Sequence, residues 1–146
     1  MRFKKFSILF VLIVMVSLFT ACSQKSVKVN DEEVKNYSEP ILESILMAAN
    51  KDDYSTYSKD FSEKMKDALT ETNFKEQNKL IKDKIGEYKS KQFVKAQAKG
   101  DYITAIYSAK YSNEPNDVMV TITFKNGDEN HKVEGLFMTS PKLASK

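Results

Sequence analysis

The sequence predicts an α+β fold in which helices come first and a four-stranded antiparallel sheet follows. Apolar residues recur at helical steps of three and four before Gly86 and alternate with polar residues after it. Short turn signals, of which Asn126-Gly127 is the strongest, separate the alternating segments. Because the helices are grouped apart from strands joined by short turns, we expect a meander with one face against the helices.

The longest helix is predicted over residues 31–50, where the apolar side chains fall on one face. Pro40 complicates this helix. Either the helix kinks at Pro40, or it begins at Ser38 as N-cap with the proline in its first turn. The sequence leaves both alternatives open.

Three shorter helices are predicted before the sheet. Asp52 or Asp53 is expected to cap a short helix that ends at Tyr57. The next contains apolar residues spaced by four: Phe61, Met65 and Leu69. The third covers residues 72–85, and the glycine after it stands where a left-handed C-cap is expected.

Four strands are predicted after the helices. They are expected at residues 88–99, 102–111, 118–125 and about 131–139. Gly100-Asp101 is a plausible tight turn between the first two strands, and residues 112–117 are expected to form a loop. Alternation in the last strand predicts that Val133, Gly135 and Phe137 share one face.

The first 22 residues have the layout of a bacterial lipoprotein signal. A basic start precedes an apolar run over residues 6–19, which is short for a membrane span of about 20 residues. The segment 18–22, Leu-Phe-Thr-Ala-Cys, resembles the lipobox, in which a diacylglycerol is attached to the cysteine and the chain is cut before it. Phe19 stands where leucine is usual. The alternatives are a plain signal peptide or an uncleaved anchor, with Cys22 incidental.

This interpretation divides the chain into four parts. They are a signal peptide at 1–21, the lipidated Cys22 with a tether at 22–30, a single α+β domain at 31–140 and a polar tail at 141–146. The lipid on Cys22 would hold the domain at the extracytoplasmic face of the cell membrane.

Removal of the signal changes the charge of the protein. The whole chain has 23 basic and 20 acidic residues and a formal charge of +3. The signal contains three of the basic residues, Arg2, Lys4 and Lys5. The remainder therefore has 20 lysines and 20 acidic residues, and its formal charge is zero. A neutral domain gives no electrostatic reason to expect a nucleic-acid partner. No arginine or tryptophan remains after residue 21, which disfavours a phosphate-binding enzyme.

The sequence contains no recognisable catalytic or metal-binding constellation, and no cofactor is expected. His131, the only histidine, is either a general base or, as we favour, an exposed residue at a strand end. The acidic turn after the third strand has the wrong spacing for an EF-hand: it comprises Asn126, Asp128, Glu129 and Asn130. The hairpin turn already explains these residues.

Three blocks of sequence resemble the domain of unknown function 3887 family of prokaryotic surface lipoproteins. They are residues 48–54, 59–66 and 85–90, and the likeness covers roughly 34–138. That family resembles the cystatin-like, nuclear-transport-factor-like superfamily, whose curved antiparallel sheet wraps around a long N-terminal helix and leaves a cone-shaped pocket. The resemblance therefore implies this cone-shaped architecture and a possible homodimer through the sheet face. The resemblance implies no catalytic residue, because the family has no agreed activity.

Aromatic residues of the strands are candidates for the lining of such a pocket. They are Tyr107, Tyr111, Phe124 and Phe137. A small apolar or aromatic ligand would suit them, although ordinary core packing is the favoured interpretation. The favoured function is a non-catalytic domain that binds a ligand or a protein. The alternatives are a small isomerase or hydratase that uses the cone, and an accessory subunit of a transporter or cell-wall enzyme.

Overall fold

The computed structural model describes residues 29–145, so the predicted signal peptide and Cys22 lie outside the described residues. The helices are α1 (Asp31–Asn50), α2 (Tyr54–Tyr57), α3 (Glu63–Ala68), α4 (Glu71–Ile85) and α5 (Pro141–Ala144). The strands are β1 (Tyr88–Lys99), β2 (Tyr102–Tyr111), β3 (Glu114–Lys125) and β4 (Val133–Thr139). The strands pair antiparallel in the order β1-β2-β3-β4, which confirms the predicted α+β fold and its meander.

Helix α1 is a single helix over the predicted range, with Pro40 inside it. The Asn30 side chain caps the helix, since its Oδ1 accepts hydrogen bonds from the backbone N–H groups of Glu32 and Glu33 at 3.1 and 3.4 Å. The alternative start at Ser38 is therefore wrong. Ser38 is buried instead, and its hydroxyl lies 2.7 Å from the hydroxyl of Tyr107 on the sheet.

The core lies between α1 and the inner face of the sheet. Alternate residues of β2 and β3 are buried there, and they include Ala105, Tyr107, Ala109, Val118, Val120, Ile122 and Phe124. Helix α1 contributes buried apolar residues at helical spacing: Val34, Leu42, Ile45 and Leu46. Phe61 is fully buried too, in the segment before α3, where it forms a bridge with Val133 of β4.

Two segments near the C-terminus differ from the prediction. Strand β3 begins at Glu114, so the predicted loop over residues 112–117 is wrong for residues 114–117. The predicted polar tail contains α5, capped by the Ser140 side chain. The buried Glu114 explains both, because its carboxylate accepts hydrogen bonds from the N–H groups of Asn116 and Lys142 at 3.2 and 3.1 Å. Burial alone would raise the pKa of Glu114, but its hydrogen bonds lower it to about 2.

The face predicted for Phe137 is wrong. The pairing of β3 with β4 has an irregularity between Thr123 and Phe124, and it moves Val133 to the buried face. Phe137 pairs with Thr121 on the outer face and is 64% exposed. One residue of slip exchanges the two faces of a strand, and alternation alone does not reveal such an irregularity. Within residues 29–145, no helix is long and apolar enough to cross a membrane.

Candidate functional site

The interior between α1 and the sheet is filled by the residues proposed to line a pocket there. Tyr107 and Phe124 are fully buried core residues. Burial raises the pKa of Tyr107 to about 12, although its hydrogen bond with Ser38 opposes the shift. Phe137 lies on the opposite face of the sheet and does not line this interior.

Tyr111 borders the small cavity that remains on this side of the sheet. The cavity has a volume of about 30 Å³ and also contacts Leu46, Tyr57, Phe74 and Met138. Such a space admits about one water molecule, whereas pockets for small ligands measure about 300–1,000 Å³. Burial raises the pKa of Tyr57 to about 12 and also raises that of Tyr111. This cavity is therefore too small for a ligand.

The C-terminal end of α1 is joined to the start of β1 and to α4 by polar side chains, and we call this region the α1 junction. Asn50 pairs with the backbone of Tyr88 in both directions: its Nδ2 donates to the Tyr88 carbonyl at 2.9 Å, and its Oδ1 accepts from the Tyr88 N–H at 3.0 Å. Lys82 of α4 donates to the Asn50 carbonyl at 3.0 Å and to the Asp52 carboxylate at 2.7 Å. These bonds satisfy groups that the end of a helix leaves unpaired.

A half-buried ion pair extends the α1 junction along the sheet. The Lys91 side chain is only 5% exposed, and its Nζ lies 2.6 Å from the Glu43 carboxylate. The hydroxyl of Tyr88 donates to the same carboxylate at 2.7 Å, and the Lys91 Nζ lies 5.7 Å from the centre of the Tyr107 ring. Burial would raise the pKa of Glu43, but the hydrogen bonds from Lys91 and Tyr88 outweigh it and hold that pKa below its usual value.

A concave surface lies at the other end of α1, and we call it the tether-end groove. Its volume is about 400 Å³. It is lined by Val29, Asn30, Glu33, Val34, Tyr37, Ile103, Lys125, Asn126, Gly127, Asp128, Glu129 and His131. These residues come from the start of α1, from β2 and from the turn between β3 and β4. A wider surface depression of about 620 Å³ surrounds α2, but it is more open to solvent.

An aromatic stack forms one wall of the tether-end groove. The rings of Tyr37 and His131 are parallel within 4°, with their centres 3.9 Å apart. The rings of Tyr37 and Phe124 are perpendicular, with their centres 5.0 Å apart. His131 has a backbone φ of 47°, which an L residue other than glycine seldom adopts. Such strain is concentrated at functional sites, but Asp52 at the α1 junction has a similar φ of 55°. It is the stack on Tyr37 in the groove wall that makes this histidine the strongest candidate binding residue.

The turn of the groove is held by Asp128. Its carboxylate accepts hydrogen bonds from the N–H groups of Asn130 at 3.1 Å and Lys132 at 2.9 Å, and these bonds lower the pKa of Asp128. On the α1 side of the groove, burial raises the pKa of Tyr37, and the nearby negative charge of Glu33 raises it further. Among residues 29–145, no cluster of three or more His, Cys, Asp or Glu side chains is arranged to hold a metal ion.

The sequence did not reveal this groove as a site. Tyr37 belongs to the apolar face of α1, and nothing in the sequence connects it with His131, which follows a hairpin turn far along the chain. His131 lies just before β4, close to the predicted strand end. It is not exposed as predicted, because the residue is half-buried and its ring stacks on Tyr37.

Comparison with known proteins gives one family and a distant structural likeness. The model of the family described as "Protein of unknown function (DUF3887)" matches residues 43–136. The fold is similar to that of Bd1075 from Bdellovibrio bacteriovorus, with 13% sequence identity and a TM-score of 0.45. That match covers 74% of this chain and 41% of the Bdellovibrio chain, so this chain spans well under half of its neighbour. No curated protein matches the chain.

Proposed function

We propose that this chain, which belongs to the DUF3887 family of proteins of unknown function, is a lipid-anchored lipoprotein of the extracytoplasmic membrane face whose domain binds its ligand in the tether-end groove. The ligand is a small molecule or a segment of a partner protein. The observation that carries the proposal is the groove itself, which has the volume typical of ligand pockets and a strained, stacked histidine in its wall.

The anchor and the groove lie close to each other in the proposed protein. Cys22 is seven residues before Val29, the first residue in the groove wall. A fully extended chain of that length spans at most about 25 Å. A ligand in the groove would therefore be held close to the membrane surface, where a lipoprotein meets envelope components.

A binding function agrees better with the packed interior of the domain than the isomerase or hydratase alternative does. That enzyme would need an acid or a histidine facing Tyr107 or Tyr111 within the cone. Instead, Tyr107 is paired with Ser38, and His131 stacks on Tyr37 in the groove. The accessory-subunit alternative is compatible with the proposal, because a segment of a transporter or cell-wall enzyme would be one occupant of the groove.

Fractionation of cells that express the full chain tests the anchor. We expect the protein to carry a palmitate label in the membrane fraction, and Cys22→Ala to lose the label and leave that fraction. Ser23→Ala, beside the lipidation position, is the matched control and keeps both properties. Unchanged labelling and membrane association of the Cys22→Ala protein would contradict the lipoprotein assignment.

A fragment screen by ¹H–¹⁵N NMR tests the groove without knowledge of the ligand. The chain from Ser23 onward is the sample, and the hits are mapped by amide shift changes. We expect the hits to collect at residues 29–37 and 125–131, and to be lost when His131 is replaced by alanine. Hits that collect at the cavity around Tyr111, or that survive the His131→Ala change, would contradict the groove as the binding site.

A further inference from the structure

The rim of the tether-end groove carries an asparagine–glycine pair in an exposed turn. Asn126 and Gly127 are both exposed, and the N–H of Asp128 closes the turn by a 3.3 Å hydrogen bond to the Lys125 carbonyl. Gly127 has a φ of 79°, and a methyl group added to it would meet no atom within 4 Å. The glycine of this turn is therefore uncrowded on its Cβ side.

We propose that Asn126 is a modification site that deamidates without an enzyme. The backbone nitrogen of Gly127 attacks the side-chain carbonyl carbon of Asn126, forms a C–N bond and closes a succinimide ring. The side-chain nitrogen leaves as ammonia, taking up the proton lost by the Gly127 amide. Water then opens the ring at either carbonyl and gives aspartate or isoaspartate. The only co-reactant is water.

The attacking nitrogen is free for this reaction. Within residues 29–145, the N–H of Gly127 donates no hydrogen bond, whereas its neighbours are engaged: Asn126 donates to the Asp101 carbonyl at 2.8 Å, and Asp128 donates to Lys125. The glycine also places no side chain in the path of the attack.

Other asparagines lack this combination. Asn50 and Asn78 use their side chains in hydrogen bonds at the α1 junction, and neither precedes a glycine. Asn130 stands in the same turn but precedes His131, whose side chain hinders the approach of the backbone nitrogen. Asn130 is thus an internal comparison for Asn126.

Deamidation would alter the proposed binding site. Aspartate at position 126 adds a carboxylate to a groove that already contains Glu33, Asp128 and Glu129, and isoaspartate lengthens the main chain of the turn by one methylene. This consequence for binding rests on the proposed function, whereas the chemistry rests on the turn alone.

Mass spectrometry of the purified full chain in detergent tests the proposal. After incubation at neutral and mildly alkaline pH, we expect a mass gain of one dalton, faster at the higher pH. Tryptic cleavage yields the peptide of residues 126–132, and its fragment ions separate Asn126 from Asn130. Asn126→Gln is the matched control, since it keeps Gly127 and its turn while disfavouring the five-membered ring.

The outcomes separate the two proposals. A gain of one dalton at Asn126 that the Asn126→Gln protein lacks supports the modification site, whatever the groove binds. No gain at Asn126, or an equal gain at Asn130, overturns it. Failure of the fragment hits to map to the groove would overturn the binding proposal and leave the deamidation result unaffected.

Discussion

The two ends of helix α1 are built differently. At its C-terminal end, the α1 junction ties the helix to β1 and α4 through Asn50, Asp52 and Lys82. At its N-terminal end, Asp31 accepts one hydrogen bond from the Ala96 N–H of β1 at 2.8 Å, and the tether-end groove beside it is a space of about 400 Å³ with the Tyr37–His131 stack in its wall. The same helix thus has one end held by several polar side chains and another end that borders a surface that a ligand can reach.

The family resemblance falls mainly on the fixed end. Residues 48–54 and 85–90, two of the blocks that resemble the family, meet at the α1 junction through the Asn50–Tyr88 pair. The third block, 59–66, pairs with the start of β4. The Val133 N–H donates to the Asp60 carbonyl at 2.8 Å, and the Ser62 N–H donates to the Val133 carbonyl at 2.9 Å. The family match starts at residue 43, so the part of α1 in the groove wall lies outside it, whereas the turn over residues 125–131 lies inside it. All three blocks thus lie at contacts that join the helical segment to the sheet.

The largest expected effect is that of Gly86→Ala at the α1 junction. Gly86 has a φ of 78°, and an added Cβ would overlap Ser112 Oγ and lie 3.1 Å from the backbone nitrogen of Asn113. We expect a loss of about 3 kcal/mol in the free energy of unfolding, measured by urea denaturation. Gly127→Ala is the control, since it has a similar φ of 79° with open space around the Cβ, and should cost only about 1 kcal/mol. Equal losses would show that steric contact at the junction is unimportant.

Glu43→Ala should have the next largest effect. It leaves the ammonium of Lys91, whose side chain is 5% exposed, without its carboxylate. Because Glu43 is itself 46% exposed, we expect the free energy of unfolding to fall by about 2 kcal/mol. This is less than the roughly 3–5 kcal/mol typical of breaking a fully buried pair. Lys91→Met removes the charge with the chain length kept and should be nearly neutral. If Lys91→Met were the more damaging change, the ion pair would be a net source of stability.

Low pH should weaken the contact made by Glu114, which holds α5 to the start of β3. Its pKa is lowered from an ordinary value of 4.5 to about 2, so the folded state prefers the ionised form. This contribution to stability is fully present above pH 4.5 and is lost as the pH falls toward 2. The amide signals of Lys142 and Leu143 should report the release of α5 in that range. In a Glu114→Gln protein, the same signals should no longer change with pH between those values.

The smallest effects are expected at His131. Replacement by alanine removes the stack on Tyr37 and keeps the strained φ, so we expect a loss of about 1 kcal/mol. Replacement by glycine also removes the stack but relieves the strain, so the net change should be within about 0.5 kcal/mol. Thermal unfolding of the two proteins, side by side, checks this order. A larger loss for glycine than for alanine would mean that the backbone at His131 is not strained.

Much of the fold is predictable because its signals are local. Alternation and turn residues locate β1 and β2 to the residue, and the helical period locates α1. The errors arise where contacts between residues far apart in the sequence determine the bounds or the facing of an element. Glu114 extends β3 and captures α5 through hydrogen bonds to residues nearly thirty positions away, and the irregularity opposite Thr123 turns Phe137 outward.

The candidate site was less predictable than the fold. Among the four proposed pocket-lining residues, Tyr107 and Phe124 pack in the core, Tyr111 borders a cavity of about 30 Å³ and Phe137 faces outward. The groove depends on the stack between Tyr37 and His131, which becomes visible only when the turn after β3 is folded against α1. Neither residue type nor spacing in the sequence encodes that contact.

Native-state hydrogen exchange compares the two ends of α1 in one experiment. The amides of Tyr88 and Asn113 are bonded at the α1 junction, to Asn50 and to the Ile85 carbonyl, and those of Asp128 and His131 are bonded in the groove turn. We predict that the junction amides exchange only by global unfolding, with rates that rise steeply with urea, whereas the groove amides exchange by local opening that urea hardly changes. Groove amides that are as slow and as urea-dependent as the junction amides would contradict the distinction between a fixed end and an open one.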